Sequence, residues 1–340
     1  MLRATETAWT VTPESFESAA ALWADPSVSL EWNPVFVLPV WLAVWWRSFA
    51  VDARLDLTAV REGDRVLGLS PLMVKDGTAS FIGSTDVCDY LDFVVSAGSE
   101  PRFCEALLDH LAGQGILHLD LRPVRPESVA LTHLSTLARE RGCEVSVTQE
   151  DVTLELDLPS TWDEYLATLD AKQRHEVRRK QRRMEEAGGL EYRVATTGTA
   201  VDALMDAFLT MFSTSRQDKA AFLTPKMESF MRSVSHEMAA AGLLTLAATE
   251  LDGVPVAMIL CMDYGGTVYL YNSGFDLRYG HLSPGLICKL SCIRDSIGSG
   301  KRRFEFLKGN EAYKHRLGGR EVPIYGCQID LSRYQRGDVG

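Results

Sequence analysis

Along this chain the apolar positions switch between a spacing of three to four residues and a spacing of two, and the order of the switches occurs twice. In the first half, helical spacing predicts helices over residues 15–23, after the Thr12-Pro13 start, and over residues 35–49, where Trp41, Trp45 and Trp46 share a stripe. Alternation then predicts strands at residues 55–61 and 65–74 around a Gly63-Asp64 turn, a short one at "ASFIG" and one ending "DVCDYLDFVV". A helix over 102–112, the strand "ILHLDLRP" and a helix over 127–141 complete this half. The second half opens on the strand "VTLELDL", one long helix over 160–187 and the strand "LEYRVAT". Helices over 200–216 and 225–241 precede three strands, "LLTLAATEL", "VPVAMILCM" and "TVYLYNSGF", turned at Asp252-Gly253 and Gly265-Gly266. A helix over 284–297 and the strands "RRFEFL" and "VPIYGCQIDL" end the series.

Both halves read as helices, an antiparallel meander, then helix, strand, helix and strand. That repetition predicts an α+β chain of two similar domains, residues 1–150 and 151–340, dividing near 150–159. A length of 340 residues fits this count. The most apolar stretch, residues 35–51, is broken by Pro39 and Arg47, so no window provides the roughly 18 uncharged apolar residues of a membrane span. The start "MLRATETAWT" lacks the pattern of a signal peptide. A cytoplasmic protein is expected. Seven scattered cysteines without a CxxC pair read as reduced, buried thiols. A net charge of −11 argues against general nucleic-acid binding.

One local exception is the helix "AKQRHEVRRKQRRMEEAG". Its Arg174, Arg178 and Arg182 form a stripe at i, i+4, i+8, and like charges so spaced repel unless an anion faces them. Arg174 and Arg178 are therefore candidates for binding an anionic substrate or partner, with a solvated helix face as the bland alternative. In "RYGHLSPGL", Ser283 suits a helix N-cap, Pro284 the first helical position, and Gly285 a close backbone approach, which makes either a plain helix start or an anion site. Asp86, Asp89 and Asp92 have carboxylate spacing without the glycine and distal glutamate of a calcium loop, so no metal is expected. The stretch "FEFLKGNEAYKHRLGG" crowds Lys308, Glu311, Tyr313, Lys314, His315 and Arg316 behind a strand, either as a solvated connector or as one wall of an active site.

The element order, the basic helix, "YLYNSGFDLRYGHLSPGLICKL" and a G-x-E-x-Y-K pattern at Gly309, Glu311, Tyr313 and Lys314 together resemble the GNAT acyltransferase superfamily. More narrowly, residues 160–319 resemble the acetyltransferase domain of CelD-like proteins, a group related to the Fem-type aminoacyltransferases with their two GNAT-like domains. The resemblance implies tandem GNAT-like domains, each a mixed, largely antiparallel sheet flanked by helices. It implies an N-acyltransferase using acetyl-CoA or another acyl-CoA, without a metal, on an amine of a small molecule, sugar or envelope precursor. A Fem-type enzyme using aminoacyl-tRNA, or a non-catalytic acyl-CoA-binding or partner-binding pair, are the alternatives.

On this resemblance the CoA pyrophosphate falls at Gly280, Ser283, Pro284 and Gly285, although the spacing departs from the usual Gly-rich turn. Asn272 and Ser273 would line a notch where a strand splays from its neighbour. Asp89 and Tyr90 match a D-Y-x-D pattern and would face the acceptor. Tyr313 suits a general acid for the leaving thiolate, and Glu311 a base with its pKa raised by burial. Lys308 and Lys314 could hold an acceptor carboxylate or phosphate, and His281 and His315 are alternative bases. The first domain, lacking the Ser-Pro-Gly loop and the acid–base cluster, is expected to be non-catalytic.

Overall fold

Alternation becomes sheet and helical spacing becomes covering helix in the computed structural model, which describes residues 9–335. Two units emerge, one of residues 9–151 with 323–335, the other Val152–Val322. The chain runs β1 (Trp9–Pro13), α1 (Phe16–Ala24), β2 (Leu30–Glu31), α2 (Pro39–Phe49), β3 (Arg54–Glu62), β4 (Arg65–Lys75), β5 (Thr78–Phe81), β6 (Val94–Ser96), α3 (Glu100–Gly113), β7 (His118–Val124), α4 (Ser135–Glu140) and β8 (Glu144–Asp157). It continues through α5 (Trp162–Thr168), α6 (Ala171–Glu185), β9 (Leu190–Ala195), α7 (Gly198–Ser215), α8 (Gln217–Phe222), α9 (Pro225–Ala240), β10 (Leu244–Leu251), β11 (Val254–Tyr264), β12 (Thr267–Phe275), α10 (Pro284–Gly298), β13 (Arg303–Lys308), α11 (Ala312–Arg316) and β14 (Arg320–Asp330).

In the first unit the strand order is β1-β3-β4-β5-β7-β14, with β5 and β7 parallel and the other neighbours antiparallel. In the second it is β9-β10-β11-β12-β13-β8, with β12 and β13 parallel and the rest antiparallel. The order of the first five strands is thus used twice, in an α+β fold of mixed sheets flanked by helices, whereas the sixth follows the others in the chain in the first unit and precedes them in the second.

The last strand differs from the sequence expectation, which assigned it to the second half. Its residues 325–330 pair with β7, where buried Cys327 and Ile329 meet buried Leu121 and Leu119. Matching apolar faces set that register.

The single helix expected over 160–187 is two. Thr161 starts α5 and Asp170 starts α6, each with a reciprocal capping box. Asp170 Oδ1 accepts from Gln173 N at 2.7 Å, and the chain turns at Leu169, which is extended.

In the second unit, α10 lays Ile287, Cys288 and Ile293 onto the sheet against Phe304, Phe306 and Val256, all nearly inaccessible to solvent. Each buried phenylalanine contributes on the order of 2–3 kcal/mol through the apolar area it removes from water. This core fixes the end of β13 and the start of α10 relative to each other. All seven cysteines are free and buried. Cys292 lies 3.8 Å from Cys261, whereas Cys288 donates to the Ala257 carbonyl.

Candidate active site

Parallel pairing between β12 and β13 lasts for three positions, Thr267–Arg303, Val268–Phe304 and Tyr269–Glu305. Beyond them β12 follows β11, with a one-residue bulge at Tyr271. β13 follows β8 instead, with its own register shift before Leu307. Leu307 has φ 60°, a left-handed conformation that costs a non-glycine residue about 1–2 kcal/mol. The strands therefore part, and a notch opens between them, as the resemblance implied.

The turned backbone at Leu307 has a partner that compensates. Lys314, only 2% exposed, donates to the carbonyls of Leu307, Lys308 and Gly309 at 3.0, 2.6 and 2.9 Å. All three of its N–H bonds are used there. Glu311 Oε2 lies 2.8 Å from the same ammonium, forming an ion pair with it. Burial acts to raise the Glu311 pKa. The Lys314 ammonium and Arg216, 4.0 Å away, outweigh burial and hold it below the ordinary value.

Across the notch, α10 starts at Pro284 after a residue in an unusual conformation. Ser283 has φ 60°, and its hydroxyl makes no capping bond, although its carbonyl accepts from Leu286 and Ile287. The expected serine cap is absent because a left-handed Ser283 does not aim its side chain at the helix. With Leu286 and Ile287 bonded to the Ser283 carbonyl and no N–H on Pro284, the Gly285 amide is the donor left in the first turn, which carries no acidic residue. At Gly285 a Cβ would lie 3.2 Å from Phe275 Cδ1, so the glycine lets helix and strand touch.

Notch and helix start open into one cavity of about 770 Å3. Its walls hold Gly280, Ser283, Pro284 and Gly285 from the helix start, Ser273 from β12, and Glu311 and Tyr313 beyond β13. Six cations line it, Lys172, Lys180, Arg216, Lys219, Lys289 and Arg316, against three carboxylates, Asp170, Glu176 and Glu311. The carboxylates are already engaged. Asp170 caps α6, Glu311 faces Lys314, and Glu176 is held down at about 2 by Arg179 and Lys180. The cavity is therefore cationic in a chain of charge −11.

Tyr313 lines this cavity, its hydroxyl makes no hydrogen bond among the described residues, and its ring packs edge-on to Phe306. Burial, and then Glu311, push its pKa upward.

Several residues singled out in the sequence lie elsewhere. Asn272 is half-buried opposite Leu260 of β11, outside the cavity wall. His281 is exposed on the turn Leu277–Leu282 and does not reach the cavity. Lys308 contributes its carbonyl to Lys314 and does not line the cavity. Arg174 donates to the Leu166 carbonyl at 3.2 Å, closing the end of α5, and Arg178 is exposed. The face of α6 turned to the cavity instead includes Lys172, Glu176 and Lys180, two residues round from the expected stripe and so nearly opposite it.

Asp89, half-buried, and Tyr90, buried, belong to the first unit. Tyr90 is buried against Phe36, 5.8 Å between centroids, and under the Arg125 guanidinium. Neighbouring Leu91 donates to the Pro123 carbonyl at 2.7 Å, occupying the edge of β7 beyond its parallel stretch with β5. Asp92 accepts from the amides of Val129 and Ala130. Lys219 and Lys289 carry no local signature that reveals them, because their role depends on which elements approach.

A split parallel pair beside a helix start is the arrangement that the resemblance to GNAT acyltransferases implied. Residues 171–315 match the family model described as an acetyltransferase (GNAT) domain. Residues 171–315 thus carry a GNAT domain, in a chain whose two units share an α+β fold. It is similar in structure to FemX, with a TM-score of 0.64, 12% identity, and 96% of this chain and 98% of that one covered. A conserved protein of unknown function from Bacteroides thetaiotaomicron aligns with a TM-score of 0.60, 12% identity and coverage of 94% and 99%. A C-terminal domain from Agrobacterium fabrum, provisionally assigned to a lysylphosphatidylglycerol synthetase, aligns with a TM-score of 0.53, 13% identity and coverage of 82% and 83%. No curated protein sequence matches the chain. No helix among the described residues is long and apolar enough to cross a membrane.

Proposed function

We propose that the second unit is an N-acyltransferase that moves an acetyl or other acyl group from a CoA thioester to an amine by direct attack. The observation that carries this reading is the notch between β12 and β13, opening beside the uncapped start of α10 into a cationic cavity. The donor's pyrophosphate suits the helix start at Gly280 and Ser283 to Gly285, where the Gly285 amide remains to donate, with Lys172 and Lys180 supplying positive charge. Its pantetheine amides suit the β12 edge that β13 leaves beyond Tyr269.

In the reaction the acceptor ammonium first gives a proton to water; the neutral nitrogen then forms a bond to the thioester carbonyl carbon, and as the tetrahedral intermediate collapses the C–S bond breaks, the second nitrogen proton passes to water and the thiolate leaves with CoA. The leaving thiolate needs a hydrogen-bond donor. Tyr313 fits that role, since burial keeps its phenol protonated throughout the neutral range. Its raised pKa makes it a donor to the sulfur rather than a strong acid. Glu311, kept ionised, suits attraction and orientation of the acceptor ammonium rather than the base role that the sequence suggested. The acyl-CoA donor implies the cytoplasm as the site of action. The first unit is read as non-catalytic, since its corresponding helix α3 begins with Glu100 and the hydroxyl of Ser99 is taken by Arg65.

Calorimetric titration of the full chain with acetyl-CoA, CoA and tRNA tests this. Saturable binding of both CoA forms is expected, and binding of neither overturns the reading. A second reading, transfer from aminoacyl-tRNA onto an envelope precursor, is favoured by the exposed Arg178, Arg179 and Arg182 on α6. Saturable binding of tRNA without CoA would select it.

A further inference from the structure

The inner end of the cavity holds two ammonium groups without a carboxylate partner. Lys219 of α8 donates to the Ser273 carbonyl and lies 4.8 Å from the Phe212 ring centroid. Lys289 of α10, 7% exposed, donates to Ser273 Oγ at 3.1 Å and to the Gly285 carbonyl at 3.2 Å, with its nitrogen 5.0 Å from the Tyr313 centroid. Two helices thus aim ammonium groups at the two oxygens of one serine. Among the described residues no carboxylate lies within 4.0 Å of either nitrogen. Arg216, Asp218, Glu311 and Lys314 are the further charged groups that act on one or the other, and Lys289 acts on Lys219.

Two like charges held together in a half-dry pocket repel, and each loses hydration. Apolar side chains at these positions would pack without that cost. The strain shows in the proton affinities. Burial, then Lys289 and Arg216, push Lys219 down to about 8, and burial pushes Lys289 down as well. An anion between the two relieves both effects. Lys219 spends one N–H bond on the protein and Lys289 two, which leaves donors for such a group. Lys314, the lysine that the sequence offered for this task, has none left.

We propose that Lys219 and Lys289 form a binding site for a carboxylate or phosphate carried by the acyl acceptor, so that the acceptor is an amine with a nearby negative charge. Glu311 then faces the ammonium end and the lysine pair the anionic end. The word acceptor rests on the acyltransferase reading above, whereas the anion site stands on its own geometry.

The test is NMR of the full chain after reductive 13C-methylation of its lysines. K219R and K289R, which keep the charge, identify the two signals, and a K219Q/K289Q double variant removes the site. Sodium acetate and inorganic phosphate are titrated against sodium chloride, with and without saturating CoA. Both signals should shift saturably at millimolar acetate or phosphate, and the Lys219 titration midpoint should rise by about half a pH unit or more. The same response should persist with CoA bound and vanish in the double variant. A response no larger than that to chloride overturns the site. A shift caused by CoA alone that abolishes the response to acetate and phosphate assigns the anion to the donor and overturns the acceptor proposal. Should CoA fail to bind, the acyl-CoA reading falls, while the titration of the free protein still decides the anion site.

Discussion

Lys314 Nζ stands 2.8 Å from Glu311 Oε2, yet its protons go to the carbonyls of Leu307, Lys308 and Gly309. The lysine is a buried post that holds the end of β13 in its turned conformation. Replacing it by methionine leaves three carbonyls and a carboxylate without their cation. K314M should lose about 3–5 kcal/mol in urea denaturation. A loss under 1 kcal/mol would show that the post bears little load.

Gly274 sits beside Ser273, where a Cβ would lie 2.4 Å from Phe212 N and 2.5 Å from Met211 C. Both neighbours are backbone of α7, so neither can rotate aside. G274A should cost about 3 kcal/mol or more and displace Ser273. G285A, whose Cβ meets only the Phe275 ring, should cost about 1 kcal/mol. Similar melting temperatures for the two variants would contradict this ordering.

Tyr313→Phe removes the hydroxyl and keeps the ring against Phe306. Affinity for acetyl-CoA in calorimetry should stay within about twofold, while turnover, followed by thiol release, should fall roughly ten- to hundredfold. Unchanged turnover excludes the phenol from the chemistry.

Lys219 titrates near about 8 in the folded protein against an ordinary 10.5. Below the lower value both folded and unfolded chains hold the proton, and the cost of a buried charge is felt in full. Between the two values the unfolded chain binds the proton that the folded chain has released, so stability rises with pH. Wild type should therefore gain on K219M as pH rises from 8 to 10.5 in urea midpoints. A constant difference would mean that the ammonium is better solvated than its surroundings indicate.

On α6 the charges divide by face. K172Q/K180Q should weaken CoA binding and flatten its salt dependence, because both lysines line the cavity. R178Q should leave CoA binding unchanged. R174Q should instead cost about 1 kcal/mol of stability through the lost bond to the Leu166 carbonyl. Calorimetry across a salt series, with melts of each variant, separates the three.

Much of the architecture was legible because alternation and helical spacing are local. The start of α10 at Pro284 and the meander of β10, β11 and β12 could be read directly. The break between α5 and α6 was also written in the chain, as Asp170 and Gln173 three residues apart, but a continuous charged helical pattern masked it. Ser273, Gly280, Ser283, Pro284, Gly285, Glu311 and Tyr313 do line one cavity. Motif matching could not say which way a side chain turns. Lys314 faces inward and is spent, Arg174 faces back along its own chain, and Tyr90 is covered by Phe36. Lys219 and Lys289 stayed hidden for the opposite reason. A single lysine in a helix looks solvated until another element removes its water.

The placement of β14 has a consequence for biosynthesis. Residues 325–330 cover β7 in the first unit, yet they are made after the whole of the second. A nascent first unit leaving the ribosome therefore exposes the backbone of β7 until residues 325–330 have been made. The later-made unit, whose β8 strand precedes it in the chain, has its own sheet complete first. Maturation of this protein thus runs against the direction of synthesis, with the amino-terminal sheet finished last.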